Sequence, residues 1–357
     1  MTTLESATVD ALLRVVWRHN GTDLLLIVGY PPMVRLEGEL HPIENEPVID
    51  EARARELLAE MTDPSQVERL EAERELDFAF GWAGRARVRG NAFHQRGAPA
   101  IALRVIPEAI PDFEEIGLPP AVANLAKLHQ GLVLFTGPTG SGKSTSLASL
   151  VEWININRAV HVITIEDPIE YIHQSKRAVV SQREVGLDTL SFERALRSAL
   201  REDPDVVLVG EMRDPESIAI TLTLAETGHL VFSTLHTNDS AQALDRIVDV
   251  FTAERQPQIR MQLSSVLRAV VAQRLVVKRG GGMTAAFEVL LANDAVRNLV
   301  AEGRTRQLRN VIATSRAEGM QTLERGLSDL IHAGTVSYPE ALSHALVPRE
   351  VVRPEGA

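Results

Sequence analysis

The stretch from Gly131 to Ser149, GLVLFTGPTGSGKSTSLAS, constrains the fold more tightly than any other part of the chain. The apolar run Leu132 to Phe135 predicts a buried parallel strand, and a helix is expected to begin near Lys143. Between them lie Gly137, Pro138, Thr139, Gly140, Ser141 and Gly142, followed by Lys143, Ser144 and Thr145. Gly137, Gly142, Lys143 and Ser144 fill the spacing G-x-x-x-x-G-K-[ST], with the strand before it and the helix after it that this motif requires. A loop short of side chains lets successive backbone N–H groups turn inward around phosphate oxygens at a helix N-terminus. Lys143 is then expected to meet the β- and γ-phosphates, and Ser144 to offer its hydroxyl to Mg²⁺. The chain is predicted to bind a nucleoside triphosphate such as ATP at Gly137 to Thr145.

With 357 residues the chain is too long for one ordinary core and suits two domains. A hydrophobic share of 45% with 24% charged residues is that of a soluble globular protein. No apolar stretch approaches the ~20 residues that span a bilayer, and the N-terminus lacks a secretion-signal pattern, so a cytoplasmic location is expected. The absence of cysteine excludes disulfides, thiolate zinc sites and cysteine nucleophiles. A net charge of -11 argues against a nucleic-acid partner, and at 4% aromatics there are few rings on which to stack bases.

Residues 1–105 read as a small α/β domain. Thr22 to Val28 and Met33 to Leu40 are predicted strands, separated by Gly29-Tyr30-Pro31-Pro32, and Asp50 is expected to cap a helix carrying Ala54, Leu57, Leu58 and Met61. An acidic helix follows from about Ser65 to Glu75, then a strand with alternating Leu76, Phe78 and Phe80, then a returning strand from Arg85 to Phe93. Arg85, Arg87 and Arg89 share one face of that strand, because side chains repeat every second residue. They form either a solvated edge or an anion-binding row, and Arg104 on the next strand belongs to the same question. Residues 106–117, with Pro107, Pro111 and an acidic run, read as a linker. From 118 to 357 strands and helices alternate, the mark of a mostly parallel sheet, and the chain turns helical from about Asp294.

Reactive groups in such a sheet gather beyond the carboxyl ends of the strands. Three further segments put polar residues there: Val160 to Ile165 before Glu166-Asp167-Pro168, Val206 to Val209 before Gly210-Glu211, and Leu230 to Thr234 before His236. Glu211 is the first choice to orient and polarise a water molecule, with Glu166 in support. Gly210 stands where nucleotide motors commonly carry a metal-holding aspartate, so metal ligation falls on Ser144 with Asp167 or Glu166 helping through water. His229 and His236 flank the third strand and are candidates for sensing the γ-phosphate.

The phosphate loop GPTGSGKST, the acidic box TIEDPIEY, the stretch ALRSALREDPDVVLVGEMRD and the box AETGHLVFSTLHT resemble the secretion ATPase superfamily, which drives type II secretion and type IV pili. GYPPMVRLEGEL, RVRGNAFHQRGA, AVRNLVAE and GMQTL are similar to its twitching-motility, pilus-retraction branch, the resemblance running from about residue 20 to 346. The resemblance implies a PAS-like N-terminal domain, a RecA-like P-loop domain with a C-terminal helical part, and a homohexameric ring. It further implies arginines of the N-terminal domain, here Arg87, Arg89 and Arg104, that reach the phosphates. It implies Arg297, Asn298 and Leu299 in motor coupling, an inner-membrane pilus platform protein as partner, and peripheral association with the cytoplasmic face of that membrane. A paralogous retraction ATPase is a further partner, and this chain is either the principal or the accessory motor. Outside the motor reading stand a nucleotide-binding scaffold that does not turn over and a RecA-like motor on nucleic acid. Thr22-Asp23-Leu24-Leu25 departs from the family, which has a histidine where Leu25 stands.

Overall fold

The computed structural model describes residues 8–19, 21–36, 38–82, 84, 86–107 and 109–353. The chain divides into two compact units, Met1–Ala109 and Ile110–Ala357.

In the first unit, helix α1 (Val9–Arg18) precedes β1 (Asp23–Leu26), β2 (Met33–Leu36) and β3 (Glu39–Pro42). Helices α2 (Glu51–Met61) and α3 (Pro64–Glu73) lead into β4 (Glu75–Trp82), β5 (Ala86–Gln95) and β6 (Ala98–Pro107). The strands form one antiparallel sheet in the order β3-β2-β1-β6-β5-β4. Asp50 caps α2 as expected, its side chain accepting from Arg53 N. The strand expected over Met33 to Leu40 is instead a hairpin, β2 pairing with β3 from Leu36 opposite Glu39. Gly38 has φ +92° in its turn, a conformation that lets the chain reverse in two residues. One face of the sheet is closed by Leu12, Leu13 and Val16 of α1 with Ala54 and Leu57 of α2, over Leu24, Val88, Ile101 and Leu103.

The arginines occupy a row across the sheet. Register sets Arg89 of β5 opposite Arg104 of β6, Arg104 opposite Asp23 of β1, and Asp23 opposite Arg35 of β2. Arg104 Nε donates to Asp23 Oδ1 at 2.8 Å, and Arg35 Nε lies 3.6 Å from Asp23 Oδ2. Arg87 and Arg89 are half-buried between the buried Ala86, Val88 and Gly90. Arg85 lies outside the described residues.

The stretch expected to be a linker is largely structured. β6 continues through Pro107, and α4 (Phe113–Ile116) is capped by the Asp112 side chain, which accepts from Glu114 N and Glu115 N. Ser149 Oγ donates to Pro111 O at 2.5 Å, so the chain joins the second unit before residue 118.

In that unit α5 (Pro120–Ala123) precedes β7 (Gly131–Thr136) and α6 (Lys143–Asn157), followed by β8 (His161–Glu166) and β9 (Val179–Glu184). Next come α7 (Phe192–Ala199), β10 (Val206–Val209), α8 (Pro215–Glu226), β11 (Leu230–Thr234), α9 (Ser240–Asp249) and α10 (Gln256–Val266). A long hairpin of β12 (Leu267–Val277) and β13 (Met283–Leu291) follows, then α11 (Asp294–Ala301), α12 (Leu308–Thr314), α13 (Leu323–His332) and α14 (Tyr338–His344).

The strand order is β13-β12-β7-β11-β10-β8-β9, parallel throughout except for β13 against β12. Alternate residues of β7 feed opposite cores. Leu132 and Leu134 pack with Leu196, Leu222, Ile247 and Leu263, while Val133 and Phe135 pack with Leu147, Leu150, Val151 and Ile154 of α6. Burial on both faces is why these strands read as continuous apolar runs. The α/β class holds in both units. From β7 the chain crosses to β8 and returns through β10 to β11, then jumps over β7 to β12. The phosphate loop thus leaves the sheet at that reversal, where such sheets bind ligands.

Candidate nucleotide site

The loop after β7 is shaped by contacts that only glycine permits. At Gly137 φ is +141°, and a Cβ there would lie 2.3 Å from Gln273 O of β12. Gly142, with φ +83°, begins α6 without any side-chain cap, leaving the first N–H groups of the helix for a ligand. Pro138, Thr139 and Gly140 form the exposed crest. The Ser141 hydroxyl is buried without a hydrogen-bond partner. A buried hydroxyl of that kind inside a cradle of amides fits a phosphate oxygen.

Lys143 is buried and folded back on the loop, its Nζ donating to Gly137 O at 2.7 Å and Pro138 O at 3.0 Å. Burial lowers its pKa to about 8, against a smaller raising effect of the Glu170 carboxylate. Thr145 Oγ1 lies 3.1 Å from Tyr171 OH, joining the phosphate loop to the segment after β8. Ser144, Glu166, His173, Gly210 and Thr234 line one cavity beside the loop.

Glu166, at the end of β8, accepts from Thr164 Oγ1 at 2.7 Å and Gln182 Nε2 at 3.3 Å. Withdrawal from water pushes its carboxyl above the usual carboxylate range. Asp167 is exposed, beside a cis bond to Pro168, and does not line the cavity with Ser144 and Glu166. The oxygen donors of Ser144 and Glu166 suit Mg²⁺, which keeps several waters and few protein ligands.

Glu211 follows β10. Its carboxylate is paired with Arg213, with Arg213 Nη2 donating to Oε2 at 3.0 Å, and His236 Nε2 lies 3.4 Å from the same oxygen. The His236 imidazole is held below its ordinary pKa by burial, then by the charges of Lys143 and Arg213. His236 is thus within electrostatic reach of Lys143 and 3.4 Å from Glu211, residues that follow three different strands.

His229 is not part of this group. It precedes β11, at the amino end of a strand whose carboxyl end meets the site, roughly 15 Å away along the strand. Its Nδ1 faces Leu224 O at 2.8 Å and Thr227 Oγ1 at 3.1 Å, finishing the C-terminus of α8. Sensing of the γ-phosphate in this chain's own site therefore does not fall to His229, because the two histidines of the box sit at opposite ends of one strand. Arg297, a candidate for coupling, is tied to backbone, donating to Ser264 O, Ser265 O and Ala292 O at 3.2, 2.8 and 3.1 Å. Asn298, its neighbour, is exposed.

Four residues of the site were not singled out by the sequence. Glu170 and Tyr171 lie inside the acidic box, and Arg213 stands two residues beyond Glu211, so their positions were visible without their partners. Gln273 is a polar residue in an apolar strand; its Oε1 accepts from Ser146 Oγ of α6 at 2.9 Å, under the phosphate loop.

Residues 68–287 match the family described as "Type II/IV secretion system protein". The chain is 45% identical over 95% of its length to the type IV pilus retractation ATPase PilT of Pseudomonas aeruginosa, covering 98% of that protein. It is 46% identical over 87% of its length to a twitching motility protein of Neisseria gonorrhoeae, covering 83% of it. A crystal structure of the pilus retraction motor PilT with bound ADP superposes with a TM-score of 0.88, at 41% identity, covering 97% of this chain and 99% of that one.

Proposed function

The chain belongs to the type II/IV secretion system protein family, and we propose that it is an ATP-hydrolysing motor that powers type IV pilus retraction. The observation that carries this reading is His236 of the loop after β11, 3.4 Å from Glu211 after β10 and within electrostatic reach of Lys143 after β7. The amides of Gly137 to Thr145 hold the triphosphate. Lys143 leaves the carbonyls of Gly137 and Pro138 to face its β- and γ-oxygens. Ser144 and Glu166 are the residues that would hold Mg²⁺, whose positive charge would offset that of the phosphates. Glu211 orients the attacking water and accepts its proton as the bond from the γ-phosphorus to the bridging oxygen breaks. His236, neutral at rest, reads whether the γ-phosphate is present.

Assembly as a homohexamer would bring Arg87, Arg89 and Arg104 to phosphate, where a well-placed cation is worth ~10³ to 10⁵ in rate. The ring would act on an inner-membrane platform protein and be held peripherally at the cytoplasmic face through it, alone or with a paralogous retraction ATPase. Among the described residues no helix is long and apolar enough to cross a membrane.

Lys143→Ala and Glu211→Gln should each abolish phosphate release while leaving a folded protein; undiminished release by either refutes the site. In cells, deletion should leave excess surface pili and no twitching. Normal motility after deletion would instead assign the accessory role.

A further inference from the structure

The loop after β11 is fastened at almost every residue. Leu235 N donates to Phe135 O at 2.9 Å and Thr237 N to Thr136 Oγ1 at 3.0 Å, both on β7. Arg274 Nη2 of β12 donates to Asn238 Oδ1 at 2.9 Å. Ser240 donates from its N at 2.9 Å and its Oγ at 2.7 Å to Glu288 Oε1 of β13. The span passes from the end of β7 to interior residues of β12 and β13, and His236, 3.4 Å from Glu211, lies within it.

Glu288 is a costly residue to use as the far anchor. It is 2% exposed on a strand otherwise apolar from Ala285 to Leu290, and burial pushes its carboxyl above the usual range. The backbone on either side of it is bonded to Gln321, two residues before α13. Gln321 Nε2 donates to Phe287 O at 2.9 Å, and Val289 N donates to Gln321 O at 2.8 Å. At Gly326 of α13 a Cβ would lie 2.8 Å from Phe287 O, so that helix rests directly on the strand. Residues 287–289 therefore hold the C-terminal layer by their main chain and the His236 loop by a side chain.

We infer that Glu288 is a positioning residue for hydrolysis: by fixing Ser240 it sets His236 against Glu211, and it makes that setting depend on where α13 sits. The inference rests on the hydrolytic reading of this site. Both donors of Ser240 reach the one Oε1 oxygen, an acceptor that a glutamine side chain also offers.

Glu288→Gln retains the acceptor and Glu288→Leu removes it at similar volume. ATP turnover and the imidazole proton resonance of His236 in the nucleotide-free protein are measured for both. The glutamine variant should keep kcat within about twofold and leave the resonance in place. The leucine variant should lose about tenfold in kcat, with ADP affinity within about twofold. Its His236 resonance should move. A folded leucine variant with native kcat or an unmoved resonance overturns the inference, as does an equal loss in the glutamine variant. Should the leucine variant fail to fold, Ser240→Ala removes the hydroxyl donor alone and is expected to move the resonance in the same way. A native chain that releases no phosphate sinks the hydrolytic reading itself, whereas active native protein with an unmoved resonance sinks only the role of Glu288.

Discussion

Arg213 closes on the carboxylate of Glu211, two residues back along the chain, and His236 approaches that carboxylate from the tip of the neighbouring strand at 3.4 Å. The cation of Arg213 therefore helps keep the imidazole uncharged. It acts third, after burial and the charge of Lys143. Arg213→Ala removes a repelling cation and frees an attracting carboxylate, so both effects raise the His236 pKa. NMR titration of the imidazole should show it climbing toward its ordinary value; an unmoved or lowered value would separate Arg213 from His236.

Lys143 should couple nucleotide binding to proton uptake. Its pKa is about 8 in the free protein and rises when anionic phosphates replace the loop carbonyls as partners. Above about pH 8 part of the population is deprotonated and must gain a proton on binding, so affinity falls as pH rises. Titration calorimetry in buffers of different ionisation enthalpy at about pH 9 should register uptake, and none near pH 6. Release, or uptake that persists in Lys143→Ala, would contradict this.

Glu152 of α6 should mark the acid limb of stability. Burial alone would raise its pKa, but hydrogen bonds from His173, Lys176 and Asn155 outweigh that and hold it at about 2. A depressed carboxylate stabilises the fold above its unfolded value of 4.5 and loses that contribution as pH falls toward about 2. Glu152→Gln should cost about 3 kcal/mol at neutral pH, with the deficit shrinking through that window. Denaturant melts at pH 7 and pH 3 check it; a constant deficit would assign the loss to packing.

The phosphate loop should tolerate alanine unequally. At Gly137 the new methyl collides with the backbone oxygen of Gln273, costing roughly 1 to 3 kcal/mol beyond the backbone strain. At Gly140, where φ is +77°, a Cβ meets nothing, and only the left-handed penalty of about 1 kcal/mol remains. Gly137→Ala should weaken ADP binding by roughly 30-fold or more and Gly140→Ala by less than about tenfold. Equal effects would remove Gln273 from the account.

The parts legible in the sequence are those where local pattern and burial coincide. β7, β8, β10 and β11 are apolar on both faces and end beside the candidate site residues, so an apolar run followed by Glu166, Glu211 or His236 is enough to gather them. Helix α1 went unread, although apolar residues at 9, 12, 13 and 16 have helical spacing. The hairpin of β2 and β3 hid inside a single apparent strand, because Gly38 alone marks the reversal. His229 shows a simpler limit: the two ends of a strand look alike in one dimension, and only parallel pairing tells which end lies beside the phosphate loop. Long-range pairs were invisible. Asp23 holds Arg104 from 81 residues away, and Glu288 is recognisable as a misfit in an apolar strand without any hint that Ser240 is its partner.

Asp23 gives that arginine row a property that the row's charge alone would not. An incoming anion that recruits Arg104 must evict a resident carboxylate, so the attraction it feels is the difference between two pairings rather than the whole of one. When the anion departs, the guanidinium has somewhere to return. Such exchange favours rapid letting-go over tight capture, which is the demand that repeated cycling makes of any cation serving a transient guest.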